Sequence, residues 1–132
     1  MVTYHSTRGN CPPVSFDQAL LQGFAADGGL FMPHPIPRLS ENRLDHWKHL
    51  GYVDLAKEVM SCFIDPTIVP RQDLSHLLDL SFAPFDRSDP PILPLDSDGQ
   101  SWVLELVHGP TLSIKDVAMG FLIRTMDFFL NQ

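Results

Sequence analysis

Residues 104–116 read Leu104-Glu105-Leu106-Val107-His108-Gly109-Pro110-Thr111-Leu112-Ser113-Ile114-Lys115-Asp116. An apolar, strand-like run passes through a Gly-Pro turn into a long amphipathic helix pattern. A lysine stands at the start of that helix. Helix N-termini carry partial positive charge, so a cation there is disfavoured by a few tenths of a kcal/mol up to about 1 kcal/mol. The ammonium form of Lys115 is therefore expected to be destabilised, which makes the neutral, nucleophilic amine easier to reach.

The helix pattern runs from just after Ser113 to the end of the sequence. Ile114, Val117, Ala118, Phe121, Leu122, Met126 and Phe129 make its apolar face. Ser113 and Asp116 have the Ser-x-x-Asp spacing of a helix start, in which hydroxyl and carboxylate take up free backbone N–H groups. The pattern is still running at Gln132, with no Gly or Pro stop. Exposed apolar area on this helix calls for a covering partner, and self-association is one way to supply it.

Upstream, Ile92-Leu93-Pro94-Leu95 and Trp102-Val103-Leu104-Glu105-Leu106-Val107 flank an Asp-Gly turn, which predicts a β-hairpin. Leu74, Leu77, Leu78 and Phe82 supply the buried stripe of a helix opened by Pro70. Tyr52, Leu55, Ala56, Val59, Met60 and Phe63 fit a helical template ended by Asp65-Pro66. Ser40 caps a short helix through about His46. Leu30-Phe31-Met32 reads as a short strand after the Asp27-Gly28-Gly29 turn. Ser15 and Gln18 form a capping-box pair ahead of a helix over residues 16–22. Val2-Thr3-Tyr4 is the first strand.

With 132 residues, the chain is long enough for a core of its own. Its composition, 44% hydrophobic and 19% charged, is that of a globular protein. A net charge of -7, with nine Lys+Arg scattered along the chain, argues against a nucleic-acid surface. The apolar runs are too short and interrupted for a membrane span, and the first residues lack a signal-peptide core. Two cysteines, Cys11 and Cys62, make no disulfide framework, so a reducing, cytoplasmic location fits. Cys62 is expected to be buried beside Phe63. The twelve prolines read as stiff connections between short elements.

The sequence resembles the threonine synthases. The resemblance is carried by Tyr4-His5-Ser6-Thr7-Arg8-Gly9, by Val14 to Gly23, by Ala26-Asp27-Gly28-Gly29-Leu30-Phe31-Met32-Pro33, and by Glu105 to Asp116. The last block is similar to the family's lysine motif. Ile114 stands where the family usually has an aromatic residue, and Ser113 where it often has alanine. The resemblance implies an α/β fold, a small β-sheet with surrounding helices, as the N-terminal part of a fold-type II enzyme dependent on pyridoxal 5'-phosphate (PLP). It implies that Lys115 is both the catalytic residue and the cofactor-binding one, through a Schiff base. It further implies an N-terminal domain over residues 1–90 and the start of a truncated PLP-binding domain over 91–132. The implied reaction takes a small phosphorylated amino acid, O-phospho-L-homoserine, with water to L-threonine and phosphate. Threonine synthases are several times longer, so this chain alone is expected to be inactive and to hold PLP poorly. The alternatives are a threonine-synthase-like phospho-lyase with another substrate, and a non-enzymatic interaction module using the last helix.

Other polar residues read more plainly. Thr111, Ser113 and Asp116 are caps before they are cofactor neighbours. His108 is expected in a turn, hydrogen-bonded to nearby backbone. Arg8 is expected to pair with a carboxylate and hold the N-terminus. His46 and His49 share a helix face, but no third ligand is evident and no metal site is assigned.

Overall fold

The computed structural model describes residues 2–87 and 89–131. Strand β1 (Thr3–Ser6) leads to helix α1 (Phe16–Gln22) and strand β2 (Phe31–His34). Three helices follow: α2 (Glu41–Trp47), α3 (Tyr52–Met60) and α4 (Arg71–Phe82). Strands β3 (Ile92–Pro94) and β4 (Trp102–Leu104) precede the final helix α5 (Asp116–Leu130). The strands form two separate antiparallel pairs. In one, Thr3 lies opposite His34 and Ser6 opposite Phe31; in the other, Ile92 lies opposite Leu104 and Pro94 opposite Trp102.

The β1–β2 pair is locked at one end by a single carboxylate. Asp27 accepts hydrogen bonds from the Ser6 hydroxyl at 2.6 Å and from the backbone N–H groups of Gly29 and Asn10, both at 2.9 Å. These bonds, the Ser6 hydroxyl first, hold the Asp27 carboxyl below its ordinary value of 3.8. Gly29 is compulsory here, because a Cβ would sit 2.1 Å from the Ser6 oxygen. Arg8 makes no ion pair among the described residues. Its guanidinium lies against Gly28, where a Cβ would stand 3.7 Å from the central carbon, and its charge reaches Asp27 only through space. The expected Arg8–carboxylate pair is thus corrected to a longer-range attraction.

The helix starts follow local chemistry. Gln18 accepts from the Ser15 N–H at 3.1 Å, as the box spacing requires. Pro70 is the N-cap of α4, where its missing N–H is of no consequence. Leu74, Leu77 and Leu78 are buried and join Phe16, Ile64 and Val69 in one core. Burying each such side chain contributes about 1.5–3 kcal/mol. Tyr4 closes the core from β1, its hydroxyl donating to the Phe63 carbonyl at 3.0 Å. Lys57 ties α3 to α4, with Asp79 at 2.7 Å and Asp54 at 3.1 Å.

Helix α5 lies on α4 at a close crossing. A Cβ at Gly120 would come within 3.2 Å of the Ser81 carbonyl oxygen. Thr125 is fully buried, and its hydroxyl donates to the Phe121 carbonyl at 2.7 Å. Phe121, Phe128 and Phe129 pack against the α4 core.

Several expectations are corrected. Helix α3 has the period read from the sequence but ends at Met60, before Phe63, and none of its residues is fully buried. It forms one wall of an open apolar groove of about 400 Å³, lined by Leu55, Val59, Met60, Phe82 and Phe121 among others. Ile114, placed on the apolar face of α5, precedes the helix and is 64% exposed. Strand β4 ends at Leu104 rather than Val107, because beyond Glu105 the carbonyl of His108 turns away to accept from the Asp86 N–H at 3.1 Å. Cys62 is half-buried, with its thiol 3.3 Å from the Glu58 carbonyl. Gln132 lies outside the described residues.

Two stability effects are expected. Gly29→Ala should cost about 1–3 kcal/mol in urea unfolding, and a midpoint equal to wild type would contradict the close contact. Asp27 has a folded pKa below its unfolded one, so its contribution is full above the unfolded value of 3.8 and fades as pH falls through the folded value. Melting curves collected down to about pH 2 should show a shallower acid limb in Asp27→Ala.

Candidate functional site

The site is the passage from β4 into α5. Its first part is a paired side-chain bridge. His108 Nε2 lies 2.9 Å from Glu105 Oε2, one helical-like turn apart, and both are half-buried. The expected His108 bond to backbone is corrected: its ring meets a carboxylate. The two side chains line a small cavity of about 10 Å³ with Tyr52, Phe82, Phe85 and Arg87. That is room for about one water.

The next four residues make a tight turn. Leu112 N–H donates to the Gly109 carbonyl at 3.0 Å, with Pro110 in the second position that its fixed φ suits. Leu112 has φ 59°, the left-handed region. For a residue with a Cβ this costs about 1–2 kcal/mol. Leu112 is also 70% exposed, so burial offsets none of that cost.

Asp116 holds the turn from the other side. Its carboxylate accepts from the Thr111 N–H at 2.8 Å and from the Thr111 hydroxyl at 2.6 Å. The hydroxyl bond is the main reason its carboxyl lies below the usual value. Of the expected Ser113–Asp116 capping box one half is present: the Ser113 N–H joins Thr111 in lowering the Asp116 carboxyl. The other half is not, because Ser113 Oγ accepts from the Lys115 N–H at 3.2 Å, while the Asp116 N–H donates to the Ser113 carbonyl at 3.0 Å.

Helix α5 begins two residues later than its sequence suggests. Lys115 is the N-cap, and its carbonyl accepts from Ala118 and Met119 N–H at 3.1 and 2.9 Å. Its side chain is exposed. The chain has three lysines. Lys48 is bridged to Asp45 at 2.9 Å, and Lys57 to Asp54 and Asp79. Among the described residues, the Lys115 amine has no hydrogen-bond or ion-pair partner. An accessible amine that no carboxylate neutralises can, once deprotonated, attack a carbonyl carbon.

The structure thus brings Thr111 and Asp116 together next to Lys115, and leaves Ile114 exposed. Two features escape the sequence reading. Glu105 as the partner of His108 was legible in their i, i+3 spacing. The left-handed Leu112 had no sequence signal, since glycine is the usual occupant of such a position. His46 and His49 are joined by no third ligand among the described residues. No helix among them is long and apolar enough to cross a membrane.

Comparison with known proteins bears on the family that the sequence resembles. A solved chain of PLP-bound threonine synthase from Brucella melitensis superposes on the whole chain with a TM-score of 0.93 and 36% identity, using 28% of its own length. The sequence model of a family described as "Threonine synthase N terminus" matches residues 3–82. The chain belongs to the threonine synthase family. Threonine synthase-like 2 of Mus musculus is 40% identical over 129 residues, covering 98% of this chain and 26% of that relative. Threonine synthase of Schizosaccharomyces pombe is 40% identical over 131 residues, covering 99% and 25%. The chain spans about a quarter of the length of these relatives. The family model stops short of Lys115, whereas these longer alignments cover nearly the whole chain.

Gly109 is buried, and a Cβ there would lie 2.5 Å from the Asp116 Cβ and Oδ2. Gly109→Ala is therefore expected to displace Asp116 and lower stability by about 1–3 kcal/mol. Thermal or urea unfolding checks this, and an unchanged midpoint would refute the contact.

Proposed function

We propose that this chain is the lysine-bearing N-terminal portion of a PLP-dependent threonine synthase. The whole enzyme converts O-phospho-L-homoserine and water to L-threonine and phosphate. The carrying observation is Lys115, the one lysine of three whose amine is exposed and unpaired among the described residues, placed where a strand-turn passage enters a helix.

That amine fits the cofactor's aldehyde, because condensation needs an accessible amine that no carboxylate ties down in its charged form. When bound, PLP supplies an electron sink for charge developed at the substrate's α-carbon. Lys115 Nζ would hold the cofactor and, as a free amine, would take and return protons at the substrate's Cα and Cβ as general base and acid. Across the reaction the Cγ–O bond breaks to release phosphate, and water forms a new C–O bond at Cβ.

The groups for the cofactor's phosphate and pyridine nitrogen belong, on this reading, to the remaining three-quarters of the family's length. The chain by itself is then catalytically silent. Residues 1–90 act as an N-terminal domain and 91–132 as the start of the PLP-binding domain, with α5 bridging the boundary through α4. The β3–β4 ribbon supports this. Ile92, Leu93, Trp102, Val103 and Leu104 are all exposed, so apolar side chains stand on both faces. Strands of that kind belong inside a larger sheet covered on both sides. A cytoplasmic location agrees with two free cysteines.

A second reading is a threonine-synthase-like phospho-lyase with a different phosphorylated substrate. It is favoured by one observation: the mouse threonine synthase-like 2 and the fission-yeast synthase are equally similar to this chain. Should the chain self-associate, α5 is the surface for it, since Ile123 and Leu130 stand exposed.

Incubation with PLP, borohydride reduction and peptide mapping test the Lys115 assignment. The adduct should concentrate on Lys115 and vanish from that peptide in Lys115→Ala. Adducts confined to Lys48 and Lys57 would sink the assignment.

A further inference from the structure

We propose that Asp116 is a positioning residue for the Lys115 amine. It acts as a latch that holds the Gly109–Leu112 turn in its left-handed form and so fixes where α5 presents the lysine. The inference rests on the Lys115 reading and extends it to a residue that meets neither cofactor nor substrate.

Three observations carry it. A carboxylate in the first turn of a helix ordinarily serves the free N–H groups of its own helix. The Asp116 carboxylate also reaches backward past Ser113, with each oxygen bonded to Thr111, five residues earlier. Gly109 leaves it the space to do so, since any Cβ there would meet the Asp116 side chain. Between these two contacts lies Leu112, in a conformation that an exposed leucine does not choose unaided.

Asp116 is also the carboxylate next to Lys115 in sequence, but adjacent helix positions do not face one another, so it does not neutralise the amine. Ser113 completes the arrangement by accepting from the Lys115 N–H, which orients the backbone of the N-cap residue. Removing the latch should let Leu112 relax to negative φ, carrying Ser113 and Lys115 with it. Positions of reactive groups matter steeply, and a shift of about 1 Å can change rates by orders of magnitude.

The test applies PLP and borohydride to the longest polypeptide that carries this chain. The Lys115 nitrogen bonds to the aldehyde carbon, the aldehyde oxygen leaves as water, and borohydride reduces the C=N bond. Mass spectrometry reads the ratio of adduct on Lys115 to adduct on Lys48, which serves as an internal standard. Asp116→Ala should lower that ratio about tenfold. The double variant Asp116→Ala with Leu112→Gly should regain most of it, because glycine adopts positive φ at no steric cost and keeps the turn without the latch. Circular dichroism confirms folding of each variant. Thr111→Val, which removes only the hydroxyl bond, gives a milder second probe and should produce a smaller loss.

An unchanged ratio in folded Asp116→Ala or Thr111→Val overturns the latch and leaves Lys115 standing. So does a loss that Leu112→Gly fails to restore, since that is the mark of general destabilisation. No preference for Lys115 in the unaltered chain overturns both the latch and the lysine assignment.

Discussion

The crossing of α5 on α4 is the contact on which the rest depends. It is close because the two facing positions are small. Gly120 meets the backbone of Ser81, and Ser81 folds its hydroxyl back onto the Leu77 carbonyl at 2.5 Å instead of projecting it. Thr125 does the same one turn further along α5, and is fully buried. With the Ser81 and Thr125 hydroxyls satisfied inside their own helices, Phe121, Phe128 and Phe129 can reach the core of Leu74, Leu77 and Leu78. A larger residue at position 120 would lift α5 away. The start of the helix, and Lys115 with it, would move too.

From that anchored helix the candidate lysine segment extends outward. The turn between β4 and α5 is held at both ends. At one end, His108 is fixed by Glu105 through its ring and by Asp86 through its carbonyl. At the other, Asp116 grips Thr111. Between them the backbone carries a left-handed leucine. Strain of this sort survives only where its surroundings over-determine it, and it gathers at functional positions. The lysine that follows is the contrast to its neighbours: Thr111, Ser113 and Asp116 are hydrogen-bonded, and its amine has no partner among the described residues.

The chain also shows how an α/β unit looks when part of its apolar surface is uncovered. The ribbon of β3 and β4 shows apolar side chains on both faces, and α3 and α5 flank an open groove. A two-stranded ribbon is marginal on its own. The solved threonine synthase of Brucella melitensis superposes on the full chain with just over a quarter of its own length. The same local structures therefore recur within a longer polypeptide.

Most elements were legible because their determinants are local. The capping pair of Ser15 and Gln18, the glycines after Asp27, the proline before α4 and the Asp-Gly hairpin turn each act within a few residues. The Glu105-to-Asp116 block announced a lysine at a helix start, and the helix is there. What the sequence left open is set by contacts between distant residues. Burial of the α3 stripe depends on what covers it, so a correct period gave half-buried side chains. The capping box of Ser113 and Asp116 formed only in part, because the Asp116 carboxylate also takes both donors of Thr111 and Ser113 Oγ turns to the Lys115 N–H. Leu112 took a conformation that its own type disfavours, and only the fixed positions of Gly109 and Asp116 impose it. The sequence by itself determined the elements and singled out the lysine. The tertiary structure decided where that lysine stands and which neighbours leave it free.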